Sequence, residues 1–196
     1  MPLELLKELP GYDRDVQQNR AQARRIMERL GYGPGNRLKL KVSTRDLRDY
    51  RDPAVILIDQ LKEVYFDGEL ETIDNTIYFP KILRKDYTVG LNNSLSGPDP
   101  DPILDMLYGC GSSLNWNNYC NPEADKLIEQ QSIEADQEQR KELVWAIERK
   151  LAEDGARPTI FYKRGGTCWR PWVKGLTIMV DSIHNGNRME DVWLDK

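Results

Sequence analysis

Histidine is almost missing from this chain: His184 is the only one in 196 residues. Its scarcity excludes the usual His-based zinc sets. A cysteine–histidine nucleophilic pair would have to use His184, and nothing like a nucleophile elbow surrounds Cys110, Cys120 or Cys168. No window approaches the roughly 18 apolar residues that a membrane span needs, so no transmembrane helix is expected. The opening Met1-Pro2-Leu3-Glu4-Leu5-Leu6-Lys7 lacks a basic start followed by a long apolar stretch, so no signal peptide is expected. An excess of base is also missing, since 28 Lys and Arg against 32 Asp and Glu leave a net charge of −4. No basic stripe is visible beyond Arg20, Arg24, Arg25 and Arg29, which read as one solvated helix face, so nucleic acid is not an expected partner. Gly31, Gly33 and Gly35 follow a helix instead of opening one, which leaves no phosphate-cradling loop. Asp99, Asp101 and Asp105 lack the remaining ligands of a calcium loop. No cofactor, metal site or catalytic residue is expected, and the chain does not read as an enzyme.

What is present reads as soluble and globular: 39% hydrophobic and 31% charged residues, enough for one good core with small appendages. Asp13 is placed to cap a helix running to Leu30, with Ala23, Ile26, Met27 and Leu30 inward and Gly31 at its end. Residues 37–43 alternate Leu38, Leu40 and Val42 with basic residues, the pattern of a half-buried strand. Asp52-Pro53 opens a second helix, with Leu57, Ile58, Leu61 and Tyr65 inward. Strands are expected at 69–74 and 87–91 around a short helix at 78–83. Ile103, Leu104 and Leu107 suggest one or two helical turns. Asn121 then caps a helix with Pro122 at its first position and Glu123 and Asp125 in its first turn. Asp136 caps the longest helix, with Gln139 at the capping-box position and Leu143, Ile147 and Leu151 inward. Further strands are expected at 159–162 and 176–180. Trp145, Trp169, Trp172 and Trp193 read as core or tail packing.

Strands and helices alternating at this spacing imply an α/β domain, a sheet with helices on both faces and right-handed crossovers. Ligands on such sheets sit at the carboxyl ends of strands, and three loops qualify: 44–50, 92–102 and 112–121. Cys110 and Cys120 flank a short polar loop. In an oxidising compartment a bridge between them would close a loop of 11 residues and stabilise by roughly 2–3 kcal/mol. Three separate thiols are the alternative, and Cys168 stands alone.

The run Tyr119-Cys120-Asn121-Pro122-Glu123-Ala124-Asp125, after the acidic turn Gly97-Pro98-Asp99-Pro100-Asp101-Pro102, resembles the family 5 extracellular solute-binding proteins. These are the oligopeptide, dipeptide and nickel-type binding subunits of ABC importers. The helix from Arg20 to Tyr32, the helix at 57–64, the helix at 136–151 with Arg140, the Arg157-Pro158-Thr159-Ile160 segment and Val173-Lys174-Gly175 are similar to that family's motifs in order. Tyr65-Phe66-Asp67-Gly68 departs from the family's usual Gly-Ile turn.

The resemblance implies the second, C-terminal lobe of a type II periplasmic-binding-protein architecture, a mixed sheet flanked by helices. Residues 1–176 would form the lobe, and 177–196 a tail crossing back to a first lobe not contained in this chain. The implied function is capture of a small polar solute, peptide-like or related, between two lobes for import. The implied partners are that solute, ABC permease subunits and the missing N-terminal lobe, and the implied location of the full-length protein is the periplasm. An orphaned edge near Leu176 suggests a possible dimer of the fragment. A stand-alone interaction or adaptor domain with the same fold is the alternative.

Ligand-binding candidates follow from the three loops. Arg45 sits just past a strand end, where some family members set an arginine against a ligand carboxylate, a geometry its fork suits. Asn93, Asp99 and Asp101 occupy the second loop. The family's ammonium-binding aspartate falls near Ser96 or Pro98 here, so that anchor is missing. Asn115, Trp116, Asn117 and Tyr119 form an aromatic and amide cluster of the kind that lines sites for polar ligands. Each has a plainer alternative: turn chemistry for Asp99 and Asp101, an exposed loop for Arg45, packing on the sheet edge for Trp116.

Overall fold

The computed structural model describes residues 1–9, 11–12, 15–94, 99–162, 166–178 and 189–195. Asp13, Ser96, Gly97, Pro98 and His184, all named above, lie outside the described residues. After a single turn, α1 (Leu3–Leu6), comes α2 (Val16–Arg29). Asp15 caps it, its carboxylate accepting from the Gln18 N–H at 2.9 Å. Gly31 adopts φ +87°, and the Tyr32 N–H reaches back to the Met27 carbonyl at 2.9 Å, so the helix closes as a Schellman turn.

The inward face of α2 differs from expectation. Met27 is buried, but Ile26 and Leu30 are exposed. The helix instead turns Arg20 and Arg24 onto the 3-10 turn at Lys62–Val64. Arg20 pairs with Glu63 at 2.7 Å, and Arg24 donates to the Glu63 carbonyl at 3.3 Å. Two of the four arginines read as solvated therefore hold this helix to its neighbour.

Strand β1 (Leu38–Arg45) leads into α3 (Arg48–Leu61), and β2 (Phe66–Ile73) into α4 (Asn75–Leu83) and the short β3 (Val89–Gly90). Helix α3 starts a turn before Asp52-Pro53, because the Tyr50 and Arg51 N–H groups already bond the Leu47 carbonyl at 2.9 Å. The three strands pair in parallel in the order β2-β1-β3, with Leu38 opposite Phe66, Arg45 opposite Ile73 and Val42 opposite Val89. The chain thus leaves β1 toward one edge and returns from β2 past β1 to the other. Two right-handed crossovers running in opposite directions must put their helices on opposite faces. The packing agrees. Helix α3 buries Ala54 and Ile58 against Val42 and Leu91, while α4 buries Tyr78 and Ile82 against Ile73 with Tyr87 and Trp116 alongside. Gly68 is needed under α3, since a Cβ there would stand 3.2 Å from Ile58.

A helical layer completes the domain: α5 (Asp101–Tyr108), α6 (Pro122–Ile133) and α7 (Gln137–Glu153). They bury Leu104, Ile128 and Ile147 together, with Leu127, Val144 and Leu151 packed around. Both expected caps are in place. Asn121 accepts from the Glu123 N–H at 2.9 Å, and Asp136 accepts from the Glu138 and Gln139 N–H groups at 3.0 and 2.9 Å.

The end of the chain departs from expectation. Residues 159–162 form no strand, nor do residues 176–178. Neither segment is paired in a described sheet, and residues 179 and 180 of the second lie outside the described residues. Instead β4 (Val173–Lys174) and β5 (Trp193–Leu194) pair antiparallel. Trp169, Trp172 and Trp193, expected in packing, are 50%, 44% and 55% exposed, because this part of the chain runs over the surface.

Ile147 is fully buried at the centre of the helical layer, whereas Ile133 is exposed. Ile147→Ala is expected to cost about 2–4 kcal/mol in urea unfolding, and Ile133→Ala less than about 0.5 kcal/mol. Glu71 gives a second test. Hydrogen bonds from Lys81 (2.8 Å) and Ser43 hold its carboxyl below its ordinary range. A folded pKa below the unfolded one means stability present above the ordinary carboxylate range and lost as pH falls through the depressed value. Glu71→Gln should be less stable than the parent at neutral pH, with the gap closing in acid.

Candidate functional site

Strand order 2-1-3 creates a switch point. The chain leaves β1 through α3 on one face and comes to β3 through α4 on the other, so the strand order reverses between the carboxyl ends of β1 and β3, where open α/β sheets take ligands. A small pocket of about 50 Å³ lies there. Asp49, Tyr50 and Pro53 line it from the β1 side, Leu91, Asn92 and Asn93 from the β3 side, and Ile160 and Phe161 across the top. Leu91 is tied down from beside the pocket: the hydroxyls of Tyr78 and Thr44 both donate to its carbonyl at 3.1 Å. Burial first, and then neighbouring Tyr87, pushes the Tyr78 phenol up to about 12. It is a neutral donor at any physiological pH.

Arg45, the last residue of β1, is fixed at this edge. Its Nε donates to the Asn75 side chain at 2.6 Å and its Nη1 to the Tyr50 hydroxyl at 2.8 Å. Its guanidinium lies 4.6 Å from the Tyr50 ring centroid and 5.4 Å from that of Phe79. Among the described residues no carboxylate pairs with it. Phe79 in turn sits 6.0 Å from Trp116, and Arg157 lies 5.3 Å from Trp116 and 6.0 Å from Tyr108. Tyr50, Arg45, Phe79, Trp116, Arg157 and Tyr108 therefore form one chain of contacts, two cations each between two rings, at the edge of the sheet. It presents two positive charges and flat apolar faces, which suits an acidic or aromatic group on a polar solute.

The remaining candidates divide. Asn93 lines the pocket and Trp116 belongs to the cation–ring series. Asn115 is buried and turned inward. Its carboxamide N–H groups donate to the Gly109 and Tyr119 carbonyls at 3.0 and 2.5 Å, and its oxygen accepts from the Tyr119 N–H at 3.1 Å. Asn117 donates to the Ala156 carbonyl. Tyr119 donates to Asp154 at 2.7 Å, and burial followed by that bond raises its phenol. These three polar side chains shape the loop instead of facing the crevice. Cys110 and Cys120 form the bridge across it, with 4.6 Å between Cα atoms, and Cys168 is free and exposed.

Asp99 and Asp101 also hold structure. Asp99 takes a two-pronged pair from Arg140, at 3.0 and 2.6 Å, and this holds its carboxyl below the usual range. Asp101 accepts from Gln131, whose own oxygens accept from Arg140. Their cost of separation from ligand is a gain for packing: this network ties α5, α6 and α7. Tyr50, Asn75, Phe79 and Arg157 were not singled out from sequence as site residues. Tyr50 carried a signal through its place in the loop after β1, and Arg157 only as part of a motif; Asn75 and Phe79 carried none.

No family model matches the sequence. The chain is 26% identical over 161 residues to the periplasmic murein peptide-binding protein MppA of Escherichia coli (strain K12), covering 81% of this chain and 30% of that protein. In structure it is similar to Haemophilus influenzae OppA in complex with RPPGFSPFR, with a TM-score of 0.79, 21% identity, and coverage of 95% of this chain and 37% of that one. It is also similar to the oligopeptide-binding protein AppA of Bacillus subtilis in complex with a nonapeptide, with a TM-score of 0.66, 18% identity, and coverage of 96% and 39%. The chain thus spans about a third of the length of these relatives, the share expected of one lobe.

The loop that presents Trp116 depends on Asn115. Asn115→Ala leaves two carbonyls and an N–H without their partners and is expected to cost about 2–3 kcal/mol. Loss of near-ultraviolet tryptophan dichroism ahead of global unfolding would locate the damage in this loop.

Proposed function

Starting from a chain related to the family 5 extracellular solute-binding proteins and folded as one of their lobes, we propose that it is the second, C-terminal lobe of an importer's receptor. The full-length protein takes a small polar, peptide-like solute into a cleft between two lobes and delivers it to ABC permease subunits, and its place is the periplasm. The observation that carries this reading is the crevice at the β1/β3 switch point, with the cation–ring series on its rim. Relatives named for murein peptide binding, or solved with a nine-residue peptide, support the solute class.

In this reading the lobe binds and does no chemistry. Arg45, Asn93 and Trp116 face the solute. Asp99, Asp101, Asn115, Asn117 and Tyr119 hold the loops that carry them. Residues 1–176 form the lobe and 177–196 the tail toward the first lobe. The family's aspartate anchor for a peptide ammonium has no counterpart at Ser96 or Pro98, so the solute is held by other groups. Because the opposite wall of the cleft comes from the first lobe, this lobe alone binds weakly.

A thermal-shift and calorimetry panel of peptides, opines, sugars and nickel chelates tests the reading. The full-length protein should be stabilised by the peptide-like class, by about 2.7 kcal/mol at a hundredfold excess over Kd. This chain alone should hardly respond. Stabilisation by no class would favour an interaction domain without a transport role. Full-strength binding by this chain alone would place the whole site within one lobe and contradict the cleft.

A further inference from the structure

The pocket at the carboxyl ends of β1 and β3 has two kinds of wall. Pro53, Leu91, Ile160 and Phe161 make it apolar, and Asn92 and Asn93 bring two carboxamides. Asp49 and Tyr50 complete it and already interact within the chain. The two carboxamides differ from their counterparts elsewhere. Those of Asn36, Asn115, Asn117 and Asn121 donate to protein oxygens, and that of Asn75 accepts from Arg45. Those of Asn92 and Asn93 make no hydrogen bond with another described residue, although Asn92 is half-buried. A carboxamide can accept from the N–H of a peptide unit and donate to its carbonyl.

The size of the pocket is set from behind. Pro53 is a rigid ring in the second turn of α3, next to fully buried Ala54. Leu91 is buried, its N–H donating to the Ser43 carbonyl at 2.9 Å and its carbonyl accepting the two hydroxyls. Neither wall has room to retreat. On the open side stands Phe161, the largest of the four apolar side chains and half exposed. The enclosed 50 Å³ is a third of the roughly 150 Å³ that takes a benzene ring, so it has room for about two or three carbons and none for an aromatic ring. A group that fits is small and apolar, with hydrogen-bonding atoms beside it for the carboxamides. An alanine or valine residue within a peptide has that form.

We propose that this pocket holds one small aliphatic side chain of the solute, that Asn92 and Asn93 bond the adjoining peptide unit, and that Phe161 sets the upper limit of size. The subsite deepens the solute-binding reading and rests on it for the solute's being a peptide. It is tested both with and without a peptide.

The first test is calorimetry of the full-length protein against trialanine and its variants with Gly, Val or Phe at each position in turn. At one position Ala and Val should bind better than Gly, by roughly fourfold for each carbon buried. Phe at that position should bind about tenfold or more worse than Val. Phe161→Ala should abolish the penalty against Phe there and leave the other positions as they were. Phe161 lies outside the three buried clusters, so this variant keeps its fold. The second test titrates isobutyramide and phenylacetamide into this chain alone, labelled with ¹⁵N. Isobutyramide should move the Asn92 and Asn93 side-chain amide signals to saturation, and phenylacetamide should do so only in Phe161→Ala. Asn92→Asp and Asn93→Asp identify the signals. Peptides bound with no size limit at any position, or a limit that Phe161→Ala leaves in place, would overturn the subsite and leave the receptor reading standing. An isobutyramide response with no peptide bound would do the reverse. Equal responses to the two amides, or the silence expected of a pocket that holds only water, would overturn the subsite whatever the peptides do.

Discussion

Strand β1 is the element on which the rest depends. It is bonded along both edges, and Val42, Ser43 and Thr44 are entirely buried. Two of those three are polar, and each ties β1 to a different side. Ser43 donates to Glu71 on β2, and Thr44 donates to the Leu91 carbonyl just past β3. A slip of one residue would turn Val42 away from α3 and leave both hydroxyls without partners. The same register delivers Arg45 to the carboxyl edge, opposite Ile73. Core and site are therefore specified by one strand.

From that edge the site is assembled by elements far apart in sequence. The loop after β1 brings Tyr50, the first turns of α4 bring Asn75 and Phe79, the bridged loop brings Trp116, and the residue after the helical layer brings Arg157. The Cys110–Cys120 bridge and the inward carboxamide of Asn115 give the third of these its shape. The Asp99–Arg140–Gln131–Asp101 network ties the helical layer together. Polar residues of this domain thus divide into those that fix loops and those left facing the crevice.

What was legible in the sequence was local. Asn121 and Asp136 cap the helices expected of them because a cap is settled by a few neighbouring residues. The alternation of Leu38, Leu40 and Val42 announced β1, and the order of α/β elements announced helices on both faces. The family likeness was legible for the same reason, since its motifs are helix starts and turns. What was hidden was set by distant contacts. Arg20 and Arg24 face Glu63, about 40 positions away, and no helical period reveals it. Asp99 and Asp101 were singled out by their place in the loop after a strand, with turn chemistry as the alternative, while their pairing with Arg140 and Gln131 is visible only in space. Arg157 was visible only as part of a motif. Its place against the Trp116 and Tyr108 rings is set by the fold. Residues 159–162 read as a strand by composition, but a strand also needs ladder hydrogen bonds, and this segment joins no described sheet.

The measurement that bears most directly on this account is a crystal structure of the full-length protein with its solute bound. The account predicts the solute between two lobes, lying across the carboxyl edge of β1 and β3, in contact with this lobe through the surface between Tyr50 and Arg157. A solute seated elsewhere, with Arg45 and Trp116 covered by protein or facing bulk solvent, would contradict it.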